Sequence, residues 1–473
     1  MTVALKALAG SPATFDDEQL AELRARFRGP LLTPEDEGYA DARVVQNAMI
    51  DRRPGLIVQC SGAADVVDAV QLASERGLLT AVRGGGHHVA GHCTCDDGLM
   101  IDLSGMRGVW VDPVARRVRV QGGATWGDVD RESQLHGLAV PGGVVSTTGV
   151  AGLTLGGGIG WLHRKWGLAC DSLRAVEIVT ADGKLVTASE TENPDLFWGV
   201  RGGGGNFGVV TSFEFEAYPL GPTVMCAAVM YPVDDAAALF RAWRDWTETV
   251  PDEVTSRVIF WSMPADPGLP PAVHDQDVMI VGAVYAGDPD DGELVLQPAR
   301  QLGVPLADLS ARMPYRSFQA MFDPFFPKGQ LESYWKSVYV RELSDDAIDL
   351  VTAVGSSRVS PLTLVHVPQL GGAISRVGPE ETPVGDRSAP YMLSVDGSWA
   401  DPAAAEGEIA WVREAIARAA PFSTGGTYLN FGGQDEADVP AAFGGNMQRL
   451  RELKKKHDPD NLFRLNANIS PAD

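Results

Sequence analysis

The chain has 473 residues, of which 45% are hydrophobic and 21% charged, and its formal net charge is −23. This length exceeds the limit of about 250–300 residues for a single core, so we expect two lobes. The acidic balance argues against nucleic acid or an anionic membrane as a partner. Five scattered cysteines do not form a disulfide framework, the N-terminus is a poor secretion signal, and no apolar run approaches the roughly 20 residues that span a bilayer. We therefore expect a cytoplasmic protein.

Short strands and helices alternate through the first 220 residues. Apolar spacing predicts a helix over 16–28, a strand at 55–60, a second helix that begins at Ser61 as its N-cap, and strands at 78–82 and 99–104. Two hairpins follow at 109–123 and 175–189, with a helix over 124–136 after the first, and an alternating strand at 209–220.

Three glycine-rich runs fall within this part of the chain, at 83–92 (RGGGHHVAGH), 153–168 and 201–210. Glycines let backbone amides approach a phosphate closely, and Arg83 would add positive charge beside them. Three such runs joined to apolar strands predict an elongated dinucleotide held by backbone amides. An ordinary nucleotide-binding βαβ unit is disfavoured, because GHH replaces the third glycine of that fingerprint. Walker-type, HExxH and GxSxG motifs are absent from the sequence.

The region 221–423 has fewer glycine clusters and more tryptophan, phenylalanine and proline. It contains a predicted helix at 236–247 and predicted strands at 335–341 and 391–396. The aromatic run at 322–327 and the WKS at 335–337 are interpreted as core and loop, with the lining of a substrate pocket as the alternative. The tail from 424 holds TYLNF and a predicted helix over about 439–457, on which Lys454, Lys455 and Lys456 are expected to form a solvated face.

Several blocks resemble the vanillyl-alcohol-oxidase and p-cresol-methylhydroxylase flavoprotein superfamily, and more closely the bacterial branch of the berberine-bridge-enzyme-like oxidases. They are DRRPGLIV at 51–58, VRGGGHHVAGH at 82–92, the long block at 167–215, YLNF at 428–431 and KKKHDPDNLFRLNANISP at 454–471. The resemblance implies a two-lobed α+β fold, with an FAD-binding domain of two small α/β subdomains and a substrate domain whose antiparallel sheet is covered by helices. The implied boundaries are 1–220 for the FAD-binding domain, 221–423 for the substrate domain and 424–473 for a C-terminal segment that returns to the first domain.

The resemblance also implies covalent FAD attached through His87, the first histidine after the glycines. The other residues that it assigns to FAD binding are Arg83, Gly84, Gly85, Gly86, His88, Gly91, Gly142, Gly149, Gly152, Gly157, Gly160, Val210, Asn430 and Asn468. Many relatives carry a second, cysteinyl link, but Val145 stands at that position here and Cys170 lies beyond the glycine run, so a single tether is expected. No metal site is expected.

The implied activity is oxidation of a C–H bond next to oxygen or nitrogen in a small molecule (an alcohol, sugar or amine), with O₂ reoxidising the flavin to give hydrogen peroxide. Plant relatives use a tyrosine base at the end of a Y-x-N-Y motif, where this chain has Phe431. Asp396 is a candidate base if its face of the strand at 391–399 meets the cavity, with Tyr339 and Tyr428 as rival phenols. An amine that enters neutral needs no base. A flavin-dependent oxygenase or cyclase of secondary metabolism, and a non-catalytic flavin-binding protein, remain as alternatives. The sequence does not identify the substrate or the oligomeric state.

Overall fold

Three main β-sheets organise the computed structural model, which describes residues 2–432 and 438–472. Two of the sheets are built from residues before 220 and the third from residues 223–399. This combination of small mixed sheets and a large antiparallel sheet covered by helices confirms the expected α+β class.

The first sheet carries the strand that leads into the triple-glycine loop. Its four strands lie in the order Leu31–Leu32, Leu56–Gln59, Leu99–Asp102 and Thr80–Arg83. The strand Leu99–Asp102 thus lies between the two strands of the predicted β-α-β unit and runs parallel to both. The connecting helix is Ala63–Arg76.

The start of this helix differs from the prediction. Its N-cap residue is Gly62 and not Ser61. The backbone amide and Oγ of Ser61 instead donate to the Asp65 carboxylate, at 2.8 and 2.9 Å. Asp65 also accepts the amides of Arg28 and Gly29, so it ties the helix to the preceding loop. The capping prediction was wrong because the helix begins one residue later, and the Oγ of Ser61 donates to Asp65 instead of accepting an amide of the first turn.

The second sheet is antiparallel and confirms both predicted hairpins. Its strands are ordered Leu185–Ser189, Leu173–Val179, Val209–Glu216, Arg117–Gln121 and Val109–Asp112. The helix predicted over 124–136 is the α-helix Trp126–Ser133 followed by a 3₁₀ turn, Gln134–His136. Thr125 and Asp128 form a capping box that fixes where this helix begins.

The third sheet has eight antiparallel strands and provides one wall of the candidate site. Its order is Ala307–Asp308, Thr223–Pro232, Asp277–Tyr285, Val254–Ser262, Leu364–Pro368, Tyr391–Trp399 and Glu332–Val340, with Ala311–Pro314 also paired to Thr223–Pro232. Helices Ala236–Thr247, Asp345–Ser356 and Ala405–Ala419 contribute to the apolar core on one face of the sheet, where Leu393 and Val395 are buried. Because side chains alternate along a strand, Ser394 and Asp396 are on the opposite face.

Shorter elements complete the described residues, and no helix among them is both long and apolar enough to cross a membrane. The remaining α-helices are Asp17–Arg26, Tyr39–Arg43, Val150–Leu155, His163–Trp166, Pro194–Val200, Pro289–Leu296, Tyr315–Gln319, Ala373–Arg376, Asp438–Phe443 and Met447–His457. Two small antiparallel pairs join Val3–Leu5 to Ala13–Phe15 and Leu138–Ala139 to Tyr218–Pro219.

The helix Met447–His457 returns to the first part of the chain. Its Leu450 and Leu453 are buried in a cluster with Phe197 and Phe207. These contacts, and the confinement of the large sheet to 223–399, support domain boundaries near 220 and 424, which we retain as a proposal.

The lysine run on this helix is not uniformly solvated, so that prediction was wrong for its first member. Lys454 has no exposed side-chain surface, whereas 64% of the Lys456 side chain is exposed. The Nζ of Lys454 donates to the Asp458 carboxylate at 2.7 Å and to the carbonyls of Asn206 and Phe463 at 2.8 and 2.9 Å. The physical reason is that Asp458, one turn later, supplies a buried counter-ion.

Candidate active site

A large cavity is lined by both lobes and by the C-terminal segment. It contains about 1970 Å³ of atom-free space, including its open mouth. Its walls include residues from all three glycine-rich runs, from four strands of the large sheet and from 463–467.

The triple-glycine loop follows the strand Thr80–Arg83 and contributes Gly84, Gly85, Gly86 and both histidines to the lining. A Cβ on Gly85 would lie 2.5 Å from the Cα of Gly149, so this close approach of two loops requires glycine. In the ranges that the structure describes, no group accepts a hydrogen bond from the amides of Gly85, Gly86 or His87. These donors are therefore available to oxygen atoms of a bound ligand.

Arg83 lies beneath this loop and is not part of the cavity lining. Its guanidinium forms a buried ion pair with Asp102, with 2.8 Å between Nε and Oδ1, and also donates to the carbonyl of Ala42. Asp102 is the register partner of Arg83 on the neighbouring parallel strand. The expected contact between Arg83 and the cofactor phosphates is therefore not supported by this geometry, because Asp102 already neutralises the charge.

The two histidines have different surroundings. His88 accepts a hydrogen bond at Nδ1 from the amide of Ala90, at 3.1 Å. Its Nε2, 3.0 Å from the carbonyl oxygen of Leu429, must then carry the proton and donate. His87 lines the cavity, and its Nε2 lies 3.4 Å from Oγ1 of Thr147. Burial lowers the pKa of His87 to about 4, so its imidazole is neutral at pH 7.

Residues within or just before the second and third glycine runs form another part of the lining. Gly149, Gly152 and Val210, all expected at the cofactor, line the cavity. A Cβ added to Gly152, or to Gly205 in the third run, would have no atom within 4 Å. Side chains at these two positions would thus project into the space that a cofactor needs.

Asn430, in the C-terminal YLNF motif, also lines the cavity. Its Nδ2 donates to the carbonyl of Leu153 at 3.0 Å and to the phenol oxygen of Tyr428 at 2.9 Å. In the final segment the structure places Asn466, and not the expected Asn468, on the lining.

Four of the expected glycines lie behind the lining. Gly91 packs against Ile50, and Gly142 packs against the ring of Trp126. Gly160 approaches the carbonyl of Gly142 so closely that a Cβ would overlap it. Gly157 has a φ of +111°, a backbone conformation that residues with a side chain rarely adopt. These glycines are explained by the packing and conformation of the loops rather than by cofactor contact.

The two candidate phenols also lie outside the lining. The Tyr428 oxygen accepts the amides of Gly158 and Ile159, each at 3.0 Å, and burial raises the pKa of Tyr428 to about 12. Tyr339 is packed in the same apolar cluster as Tyr428 and Cys170, and burial raises its pKa. The geometry therefore does not bring either phenol to the cavity, and Cys170 is equally remote from it.

Asp396 does line the cavity, on the face of Tyr391–Trp399 opposite the helices. Its carboxylate accepts a hydrogen bond from Oγ of Ser394 and lies 3.1 Å from Nε2 of His366. The expectation that this face of the strand meets the cavity agrees with the structure.

Sequence reasoning missed two polar residues of the same wall. His366 projects from Leu364–Pro368, and Arg257 projects from Val254–Ser262. Each of these two residues is the single basic residue of a largely apolar strand. That pattern, visible in the sequence, could have identified them as candidates for the site. Aromatic side chains surround them, and the rings of His366 and Phe431 are 5.9 Å apart at an edge-to-face angle. Phe322, Phe326 and Trp335 also line the cavity, which agrees with the alternative interpretation of their segments as pocket lining.

Comparisons with known proteins agree with this architecture. The model of the FAD binding domain family matches residues 54–189, and the model described as berberine and berberine like matches residues 427–470. The chain is 31% identical to the uncharacterized FAD-linked oxidoreductase YgaK of Bacillus subtilis, over 95% of this chain and 98% of that protein. It is 30% identical to (R)-6-hydroxynicotine oxidase of Paenarthrobacter nicotinovorans, over 94% and 97% of the two chains.

A solved structure gives the same result in three dimensions. The crystal structure of 6-hydroxy-D-nicotine oxidase from Arthrobacter nicotinovorans superposes with a TM-score of 0.84 at 27% identity, covering 94% of this chain and 98% of that one. Similarity of this extent, together with a cavity built for a long cofactor, shows that the chain belongs to the berberine-bridge-enzyme-like family of FAD-linked oxidoreductases.

Proposed function

We propose that this FAD-linked oxidase carries its flavin covalently on His87, and that it oxidises a C–H bond next to oxygen or nitrogen in a small molecule. The observation that carries the proposal is that His87 and Asp396 line one continuous cavity with the three glycine runs. When bound beside His87 and Asp396, FAD would supply the two-electron chemistry, namely hydride uptake from the substrate and return of two electrons and two protons to O₂ as hydrogen peroxide.

The residues present fit FAD. The free amides of Gly85, Gly86 and His87 suit the oxygens of a dinucleotide, and the open space above Gly152 and Gly205 suits an extended ligand. Residues 463–467 close the cavity on another side.

Two features support His87 as the single tether. Its imidazole is neutral at pH 7, because burial lowers its pKa, and a neutral nitrogen has the lone pair that bond formation needs. His88 is already fixed by hydrogen bonds at both ring nitrogens. Val145 stands on the lining where relatives carry a linking cysteine, and the Cys170 thiol is buried elsewhere.

Asp396 is the group that we assign to proton removal. It is the acidic side chain on the cavity lining in the part of the chain that the structure describes. Hydrogen bonds from Ser394 and contact with His366 hold its carboxylate in one orientation, which is what a general base requires. Asp396 can accept the proton of a substrate O–H or N–H while the hydride departs.

The first test is flavin fluorescence of the denatured protein in a gel, for wild type, His87→Ala and His88→Ala. We expect a fluorescent band in wild type and in His88→Ala, and none in His87→Ala. Loss of flavin from denatured wild type would refute the covalent link. A band that persists in His87→Ala would move the link to another residue.

A second measurement separates the oxidase from an oxygenase or cyclase. With a substrate found by screening alcohols, sugars and cyclic amines, an oxidase releases one hydrogen peroxide for each O₂ consumed. A yield well below one, with oxygen incorporated into the product, would contradict the oxidase assignment.

A further inference from the structure

Arg257 is a charged residue of the cavity wall, and two of its guanidinium nitrogens lack hydrogen-bond acceptors in the described part of the chain. Only 5% of the residue is exposed, and its Nε and Nη2 have no hydrogen-bond partner within residues 2–432 and 438–472. Its guanidinium carbon lies 4.3 Å from the centre of the Trp161 ring, which fixes the fork in a stacked position. Burial lowers the pKa of Arg257 to about 10, so the side chain is still charged at pH 7.

Asp396 is the nearest candidate counter-ion in the wall, but it does not pair with Arg257. The described residues contain no carboxylate oxygen within the 4.0 Å ion-pair limit of this guanidinium. Both Asp396 oxygens are already engaged, one by Ser394 and one by His366. The negative charge of Asp396 acts on Arg257 only at longer range, where it favours the protonated form of the guanidinium and so raises its pKa.

The strand register explains why the two charges stay apart. Ile259 pairs with His366, which pairs with Ser394, so these three residues form one row across the sheet. Arg257 lies two residues to one side of this row, and Asp396 lies two residues to the other side. Standard sheet spacings separate their α-carbons by about 16 Å. A ligand that bridges the two positions would thus extend diagonally across the row.

We infer that Arg257 binds a carboxylate of the substrate, so that the preferred substrates are ring-containing organic acids whose oxidised carbon lies near Asp396. This inference rests on the proposed oxidase function. A buried guanidinium without acceptors is unfavourable, and a carboxylate matches its planar fork with two parallel hydrogen bonds. The apolar body of such an acid would contact the rings of Trp161, Phe322, Trp335 and Phe431, which line the same cavity. Repulsion from Asp396 would orient the acid with its carboxylate at Arg257.

Benzoate and its uncharged isostere benzamide test this inference without turnover. Each is titrated into the oxidised FAD-loaded protein at pH 7, and binding is followed by the change in the flavin absorption spectrum. In wild type we expect the Kd of benzoate to be at least about tenfold below that of benzamide, which corresponds to about 1.4 kcal/mol.

Variants at Arg257 test whether this residue causes the preference for benzoate over benzamide. Arg257→Met should bring the two Kd values to within about twofold, whereas Arg257→Lys should keep part of the preference, because it retains a point charge without the fork. The matched control is Lys328→Gln, which removes one positive charge from an exposed residue outside the lining and should leave the ratio unchanged. If Arg257→Met does not bind FAD, the ratio of the two Kd values is measured in Arg257→Gln and Arg257→Lys instead.

Three results would overturn the inference: no binding of benzoate to wild type, equal Kd values in wild type, or a preference that survives in Arg257→Met or Arg257→Gln. A lowered flavin reduction potential in Arg257→Met with an unchanged Kd ratio would also overturn it, because Arg257 would then act on the flavin. The titration needs bound FAD but neither a covalent link nor oxidase turnover. Its failure is therefore distinguishable from failure of the proposed function.

Discussion

Replacing Lys454 by methionine should destabilise the C-terminal segment more than any change at its neighbouring lysines. The side chain is fully buried, and its Nζ makes three hydrogen bonds of 2.7 to 2.9 Å. Asp458 in turn accepts the amides of Leu462 and Phe463, at 2.7 and 2.9 Å. Lys454→Met keeps the volume of the side chain but leaves the Asp458 carboxylate buried without its cation.

The magnitude follows from the burial of both charges. Removing one member of a buried ion pair costs about 3–5 kcal/mol, because the remaining charge is left uncompensated. Lys456 approaches Asp195 only at 3.9 Å with 64% of each side chain exposed, and pairs of that kind contribute about 0–1 kcal/mol. Lys456→Met is therefore the matched control, since it makes the same chemical change two residues along the same helix.

Urea unfolding of the two variants, followed by intrinsic tryptophan fluorescence, measures the difference. We expect Lys454→Met to lose about 3–5 kcal/mol in the free energy of unfolding, and Lys456→Met to lose less than about 1 kcal/mol. Phe463, whose carbonyl accepts from Lys454, lines the cavity, so Lys454→Met should also bind FAD less completely. Equal stability of the two variants would refute the reasoning from burial.

Two further predictions concern buried carboxylates. Burial raises the pKa of Asp130 to about 7, so between about pH 4 and pH 7 the folded state holds a proton that the unfolded state has lost, and stability falls as the pH rises. Asp130→Asn should abolish this loss of stability, which amounts to as much as about 4 kcal/mol, and should be more stable than wild type at pH 8. The free energy of unfolding is measured with denaturant at a series of pH values. Parallel pH profiles for the variant and wild type would contradict the prediction. Asp396→Asn should slow anaerobic flavin reduction by about 10²–10⁴-fold if the substrate arrives protonated, whereas Tyr428→Phe and Tyr339→Phe should leave the pH profile of that rate unchanged. An unaltered rate in Asp396→Asn would remove it as the base.

The elements that follow local rules were predictable from the sequence. Both hairpins and the helix at 236–247 depend on alternation or on a 3.6-residue period, and the structure confirms them. Ser61 was assigned wrongly because its Oγ donates to the Asp65 carboxylate, a pairing that residue type and position in the sequence do not reveal.

The wall opposite the glycine loops could not be assembled from sequence patterns alone. Arg257, His366 and Asp396 are brought together by strand order, and the strands that carry them are 254–262, 364–368 and 391–399. Lys454 shows the same limit, because a residue in a basic run is buried only if a distant carbonyl such as that of Asn206 is placed to receive it. Local composition does not report such long-range pairings.

The position of residues 463–467 on the cavity wall determines when, during synthesis of the chain, the cofactor site becomes complete. Thr80 and Ala467 line the same space, so the flavin site is incomplete until residues 463–467 have left the ribosome. At roughly 5–20 residues per second, synthesis of the remaining chain after Thr80 takes about 20–80 s. During that interval the glycine loops have no closed site in which to retain a cofactor. Flavin loading is therefore expected to follow the synthesis of residues 463–467, and a chain truncated before Phe463 should fail to acquire the cofactor even where both lobes fold.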